Sequence, residues 1–307
     1  MFAEALNERS EMWAAKLTRW TRFWAGVANQ WLASTAFLPY LEVARRNCAV
    51  QSLSRQLLRA LEIEVRAVGD RPEDGRPLLV VSNHISWLDS YVILALMPCR
   101  FVAKAEAFDW PVFGAILRGG GTIGITRGSA RGAKSAAEEA AAALAHGERV
   151  AFFPEGTSTD GSNLLQFHPA LFQSAIAAGT PVQPIALSYL RPDGTRTTSP
   201  AYCGDITLMQ SIAGIVKEPA IVARVQFCDP MVPRQTTRRD LAREARLRIA
   251  IKLGMPDACL PGGERAPSGQ ASRLARTRAE SRASSIGSDP RSRDSIESSF
   301  QGAQRND

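Results

Sequence analysis

Between residues 63 and 227 the chain repeats short apolar-rich runs, some of which do not alternate with polar residues. Leu78-Leu79-Val80-Val81 is the clearest of them. A strand with one wet face reads apolar–polar–apolar, whereas an unbroken run needs cover on both faces. Strands of this kind belong to sheets sandwiched between helices. Runs at 63–68, 78–82, 100–103, 122–126, 150–153, 182–190 and 221–227 are read as strands. The stretches between them have helical composition, most clearly the Ala- and Glu-rich segment 130–145. The order strand–helix–strand predicts an α/β architecture, a mostly parallel sheet flanked by helices. A closing helix is expected over 236–253.

Ahead of this region stand two apolar-striped helices. Trp13, Leu17, Trp20, Trp24, Val27, Trp31 and Leu38 recur at spacings of three, four and seven, which is one stripe of a helix. Lys16, Arg19 and Arg22 lie off the stripe. Trp and Leu on one face with cations elsewhere is the pattern of a helix lying in a membrane interface. Two other readings stay open. Residues 23–41 carry no charge and approach the length of a single span, though Asn29, Gln30, Ser34, Thr35 and Pro39 interrupt them. The stripe also suits packing on the protein's own core. Pro39 should end this helix. A second follows over 41–61, with Val50, Leu53, Leu57 and Leu61 as its stripe and Arg45, Arg46, Arg55 and Arg59 adding charge. The two form an N-terminal amphipathic membrane-docking segment, residues 1–62. The α/β domain occupies 63–261. A Ser- and Arg-rich tail, 262–307, lacks any apolar period and reads as disordered.

A net charge of +7 calls for an acidic partner. Four of the six Trp fall within the first 31 residues, which favours a lipid surface. The Arg-rich tail has one aromatic, Phe300, so nucleic-acid binding is not expected. The five cysteines are scattered, without a CxxC pair, and an odd count fits a reducing compartment. No secretory leader is visible in the opening residues, which include Glu4, Glu8 and Arg9. No His/Cys/Asp cluster has metal-ligand spacing, so no metal and no cofactor are expected. No Gly-x-Ser-x-Gly elbow is present, which disfavours a serine hydrolase.

Chemistry is concentrated at strand ends. His84 follows the run 78–82, and Asp89 stands five residues on, with Ser86 a candidate helix cap between them. An imidazole is the natural base near neutral pH, and a carboxylate on its other nitrogen fixes the tautomer and stabilises the imidazolium. Phe153-Pro154-Glu155-Gly156-Thr157 turns off a later strand, offering a carboxylate, a hydroxyl and a glycine that lets backbone approach closely. Arg127 ends the strand before it, with a guanidinium suited to phosphate or carboxylate. Lys104 ends another. His146 stands at a helix end before Gly147, and His168 follows the Glu-Gly-Thr turn.

Asn83-His84-x4-Asp89 followed by Phe153-Pro154-Glu155-Gly156-Thr157, with Arg127 between them, resembles the glycerolipid acyltransferases, the 1-acyl-glycerol-3-phosphate acyltransferase family. Lys104 with Trp110-Pro111-Val112-Phe113-Gly114, and Thr180-Pro181-Val182-Gln183-Pro184, are similar to further blocks of that family in family order. The resemblance covers about residues 78–187. It implies a membrane-associated O-acyltransferase that moves a fatty acyl group from acyl-CoA or acyl-carrier protein to a lysolipid hydroxyl, first 1-acyl-sn-glycerol-3-phosphate. His84 would be the base and Asp89 its orienter. Lys104, Arg127, Glu155, Gly156 and Thr157 would hold the acceptor, and the helix after His84 would help polarise the thioester carbonyl. The implied location is the cytoplasmic face of the cell membrane. Two positions depart from the family pattern. Ser158 stands where an arginine is common, and Thr126 where an aspartate is. The stretch 156–161 with Leu165-Gln166-Phe167-His168 is similar to relatives that acylate lyso-ornithine lipid, the alternative acceptor. A non-catalytic lipid-binding protein is the alternative of another class.

Overall fold

The computed structural model describes residues 2–73 and 75–255, with side chains from residue 13 onward. Seven strands form one sheet: β1 (Ile63–Val68), β2 (Leu79–Ser82), β3 (Arg100–Lys104), β4 (Ile123–Ile125), β5 (Val150–Phe152), β6 (Val182–Leu190) and β7 (Ile221–Phe227). Their lateral order is β1-β7-β6-β2-β5-β3-β4. All neighbours are parallel except β6 and β7, so β1 and β7 run against the other five. The expected strands are all present. The segment expected to be a disordered tail lies outside the described residues.

Among the described residues eight α-helices accompany the sheet: α1 (Phe2–Ala36), α2 (Val43–Ala60), α3 (Leu88–Leu96), α4 (Phe113–Gly119), α5 (Ala130–Ala145), α6 (Gln173–Ala178), α7 (Leu208–Lys217) and α8 (Arg238–Leu253). Short 3₁₀ turns at Leu38–Tyr40, Ala105–Asp109 and Ala170–Phe172 link them. Local chemistry sets their starts. Ser129 accepts from the Gly132 amide at α5, Thr207 and Gln210 form a capping box at α7, and Thr237 accepts from the Asp240 amide at α8.

The unbroken apolar run in β2 has the expected cause. Leu78 and Val80 enter one core with Phe23, Leu57, Leu88, Val92 and Ile212, so α1, α2, α3 and α7 cover that face. Leu79 and Val81 enter the other core with residues of α5 and α8. Both faces are covered, which is why the run 78–81 carries no polar side chain.

α1 packs along α4 and α2 on a side that shares only Val27 and, in part, Trp20 with the Trp stripe. Its buried side is Phe23, Val27, Gln30 and Ser34, rotated from the stripe by about one-fifth of a turn. Trp13, Leu17, Trp24 and Trp31 remain exposed, and Trp20 is half-buried against the core. Arg19, expected to be a free surface cation, is buried. Its guanidinium donates to the carbonyls of Val216, Glu218 and Leu61 and meets Glu62 at 3.3 Å. Those carbonyls close the ends of α7 and α2, where a cation complements the helix dipole. Among the described residues no helix is long and apolar enough to cross a membrane. The single-span reading of residues 23–41 therefore gives way: of the polar residues in that stretch Gln30 and Ser34 are buried against protein, while Asn29 and Thr35 stay exposed.

Candidate active site

The strand order brings the expected residues to one edge. β2, β5, β3 and β4 are neighbours and parallel, so their C-terminal ends lie side by side. His84 follows β2, Glu155, Gly156 and Thr157 follow β5, Lys104 ends β3, and Arg127 follows β4. The carboxyl ends of parallel strands are where open α/β sheets bind ligands. Strands lie about 4.8 Å apart, so the ends of β2 and β4 stand roughly 14 Å apart along this edge.

His84 and Asp89 meet. His84 Nδ1 lies 2.8 Å from Asp89 Oδ2. The same oxygen accepts the amides of Ile85 at 2.6 Å and Ser86 at 2.9 Å, while Oδ1 accepts the Tyr189 hydroxyl at 2.7 Å. Asp89 is wholly buried and sits in the first turn of α3, where a carboxylate suits the helix dipole. A carboxylate only accepts, so the bond at Nδ1 places the imidazole proton there and leaves Nε2 as the basic nitrogen. Nε2 has no hydrogen-bond partner among the described residues. The imidazole is 22% exposed, which leaves an approach for a substrate hydroxyl.

The carboxyl-end loops lock around His84. Its amide donates to Glu155 Oε1 at 2.7 Å, and its carbonyl accepts the Thr159 amide at 2.9 Å. The other Glu155 oxygen accepts the Leu165 amide at 2.8 Å. Expected to hold the acceptor, Glu155 instead has both oxygens on backbone groups and is buried. Burial pushes its carboxyl above the usual glutamate range, against the pull of those two amides. Gly156 turns the loop at φ 73°, and a Cβ there would stand 3.1 Å from the exposed His168 ring. The positive φ is what disfavours a side chain there, since the exposed His168 ring can yield a few tenths of an ångström. Thr157 is exposed beside it.

Lys104 and Arg127 are exposed. Partial desolvation lowers the Arg127 guanidinium from its usual value, opposed by the charge of Glu106. Ser158 is committed: its hydroxyl donates to the Tyr202 carbonyl, while the Tyr202 amide donates to the Ile85 carbonyl at 2.9 Å. The loop between β6 and α7 is thereby pinned to the His84 turn. His146 caps the end of α5, its Nδ1 2.7 Å from the Ala142 carbonyl.

Two expectations about α3 change. Its N-cap is Trp87, and Ser86 acts one residue earlier, its hydroxyl accepting the Leu88 amide at 3.3 Å. The start of α3 is also less open to a carbonyl than expected. The amides of Ile85 and Ser86 are taken by Asp89, and those of Leu88 and Asp89 by Ser86.

Sequence reasoning missed Tyr189 and gave no role to two residues of its own motifs, Phe153 and Asn83. Tyr189 holds Asp89 from β6. Phe153 carries the His84 ring on its own, with centroids 4.0 Å apart and planes 6° from parallel. Asn83 pairs both its amide groups with the backbone of Leu187, at 2.9 and 2.8 Å. Alternation along 182–190 gave a signal for Tyr189, since it shares a face with Leu187, but not for what that face meets.

A family model described as acyltransferase matches residues 62–188. The 1-acyl-sn-glycerol-3-phosphate acyltransferase of Neisseria meningitidis is 40% identical over 182 residues, 59% of this chain and 71% of that protein. The lyso-ornithine lipid O-acyltransferase of Pseudomonas aeruginosa is 35% identical over 198 residues, 64% of this chain and 75% of that one. In fold the chain is similar to the crystal structure of the 1-acyl-sn-glycerophosphate acyltransferase PlsC from Thermotoga maritima, with TM-score 0.53 at 19% identity over 81% of this chain and all of that one. With the family model over β1 to β5, most of β6 and the motif-bearing strand ends, and with relatives of this identity matched over more than two thirds of their length, the chain belongs to the glycerolipid acyltransferase family.

Proposed function

We infer that this chain transfers a fatty acyl group from a thioester carrier to the hydroxyl of a lysolipid, with His84 as general base. The carrier is acyl-CoA or acyl-carrier protein. The observation that carries the mechanism is the His84–Asp89 contact at 2.8 Å, with Nε2 left free at the sheet edge. The acceptor hydroxyl gives its proton to Nε2 as its oxygen attacks the thioester carbonyl. Asp89 holds the Nδ1 proton and balances the imidazolium. The tetrahedral intermediate collapses, the C–S bond breaks, and the departing thiolate recovers the proton from Nε2. Both substrates bind together, because no side chain of the enzyme carries the acyl group. Glu155 and Gly156 shape the loop that grips His84, with Thr157 at the acceptor. Lys104 and Arg127, further along the edge, meet the anionic groups of the substrates.

The acceptor read first is 1-acyl-sn-glycerol-3-phosphate, on the strength of the 40% identical relative. One observation favours lyso-ornithine lipid as the second reading. Ser158, where the family commonly carries an arginine, offers no charge and is tied to the Tyr202 carbonyl. Purified protein incubated with acyl-CoA and each lysolipid in turn, with products read by mass spectrometry, separates the two. Phosphatidic acid alone supports the first acceptor, and diacylated ornithine lipid alone the second.

The exposed Trp13, Leu17, Trp24 and Trp31 support docking of α1 on a membrane surface, where a lysolipid enters without leaving the bilayer. Lys16, stacked over Trp13 at 5.6 Å, and the net charge of +7 suit an anionic leaflet, the cytoplasmic one in this reading.

A further inference from the structure

We propose that Tyr189 is a positioning residue of the acyl transfer, setting through Asp89 how firmly the His84 imidazole holds its proton. The inference rests on His84 acting as the base.

Its ground is how the tyrosine reaches the carboxylate. Direct pairing of β2 with β6 ends at Ser82 opposite Ile185. Beyond it the β2 backbone must leave the sheet so that His84 can face substrate. Asn83 bridges that departure: its side-chain amide gives and takes one hydrogen bond each with Leu187, at 2.9 and 2.8 Å, as the next strand residue would. β6 therefore runs on in register, held on its other side by β7, where Leu187 faces Val225 and Tyr189 faces Ala223. Leu187 and Tyr189 share a face by strand alternation, and that face is packed against α3. The hydroxyl arrives 2.7 Å from Asp89 Oδ1.

Asp89 thus has its two oxygens treated differently. Oδ2 is shared by the imidazole and two amides, and Oδ1 has the tyrosine hydroxyl. The carboxylate is wholly buried, so no solvent replaces a lost donor. Burial, and after it the Asp89 charge, pushes the Tyr189 phenol well above its usual range, which favours the protonated, donating form. A donor on Oδ1 draws negative charge away from Oδ2. Removing it strengthens the hold of Oδ2 on the imidazolium and makes His84 slower to lose its proton.

The test is the pH dependence of kcat/KM for the full chain, with acyl-CoA as donor and each of the two lysolipids as acceptor. Tyr189→Phe should move the acid limb upward by about half a unit, an activity loss of about 3-fold at the acid end, as a fraction of one charge-assisted hydrogen bond. Replacing Tyr189 by 3-fluorotyrosine keeps the ring and the donor but makes the hydroxyl more acidic, so the limb should move the other way. That replacement also keeps the test open if the Phe variant does not fold. In an Asp89→Asn background the Tyr189→Phe effect should vanish, because the coupling runs through the carboxylate. Acid limbs that stay in place in both Tyr189 replacements, or fully additive losses in the double variant, would reduce Tyr189 to a satisfied core side chain. If His84→Ala retains activity, the underlying mechanism fails instead, whatever the tyrosine variants do.

Discussion

The imidazole of His84 lies flat on the ring of Phe153, 4.0 Å between centroids and 6° from parallel. Phe153 is in turn stacked on Phe101 at 5.5 Å. Asp89 fixes one ring nitrogen, but a single hydrogen bond leaves the plane free to tilt about it. The phenyl ring removes that freedom. Phe153→Ala should therefore lower kcat by about 10- to 100-fold, the scale of a misplacement near 1 Å, with KM changed far less. Steady-state kinetics against both substrates checks this, and an unchanged kcat would show that Asp89 alone aligns the ring.

Removing the base itself should cost more. His84→Ala is expected to lose about 100- to 10,000-fold in kcat, with folding and vesicle binding retained. Asp89→Asn should also lose most activity, since an amide can donate to Nδ1 and turn the imidazole to the wrong tautomer. Because Asp89 also accepts from Ile85, Ser86 and Tyr189, its replacement should lower the unfolding midpoint, whereas His84→Ala should not. Activity of purified His84→Ala within a few-fold of wild type would remove the general-base mechanism.

Glu155 carries a pH signature. Burial is the largest influence on its carboxyl and raises it above the unfolded value. The folded state then binds the proton more tightly than the unfolded chain does. Its stabilising contribution is fully present below the unfolded value and is lost as pH rises through the folded one. Glutamine does not titrate. The difference in unfolding free energy between wild type and Glu155→Gln should shrink as pH rises from about 4 to about 8, read from urea midpoints with their slopes. A difference that grows over that range would mean the His84 and Leu165 amides outweigh burial.

The two sides of α1 predict opposite phenotypes. Trp13, Trp24 and Trp31 are exposed, so replacing all three with Ser should release the protein from anionic liposomes in a flotation assay and leave its unfolding midpoint near wild type. Phe23 is 1% exposed, and Phe23→Ala should destabilise the fold by about 3–5 kcal/mol. Binding of the wild type should weaken at high salt, as Lys16 and Arg22 lose their hold on the leaflet. Equal flotation of the triple variant and wild type would detach the Trp stripe from membrane docking.

Much of this was legible because it is local. Non-alternating runs such as 78–81 announce strands covered on both faces, and every strand appears where its run does. The spacing of His84 and Asp89 needs only one turn between a strand and a helix to bring the groups together. What stayed hidden depends on lateral strand order, which spacing along the chain does not encode. Tyr189 lies 100 residues from Asp89 and reaches it only because β6 is the neighbour of β2. Phe153 covers His84 because β5 is the other neighbour. The stripe on α1 was legible as a stripe, yet its angular offset from the buried side put Trp24 outside and Arg19 inside. Periodicity gives the width of an apolar face, not where the neighbouring helix will sit.

Arg19 has a mechanical consequence. Its guanidinium joins α1 to the ends of α2 and α7 by three carbonyls on two separate elements, the bonds to Val216 and Leu61 buried and the one to Glu218 partly so. Lifting α1 away would break all three bonds at once and leave the carbonyls of Val216 and Leu61 without their donor, so the helix is not a hinged float. It is a keel. Any surface that takes hold of Trp24 and Trp31 sets the heading of the whole sheet, and with it the direction from which a hydroxyl must come to His84.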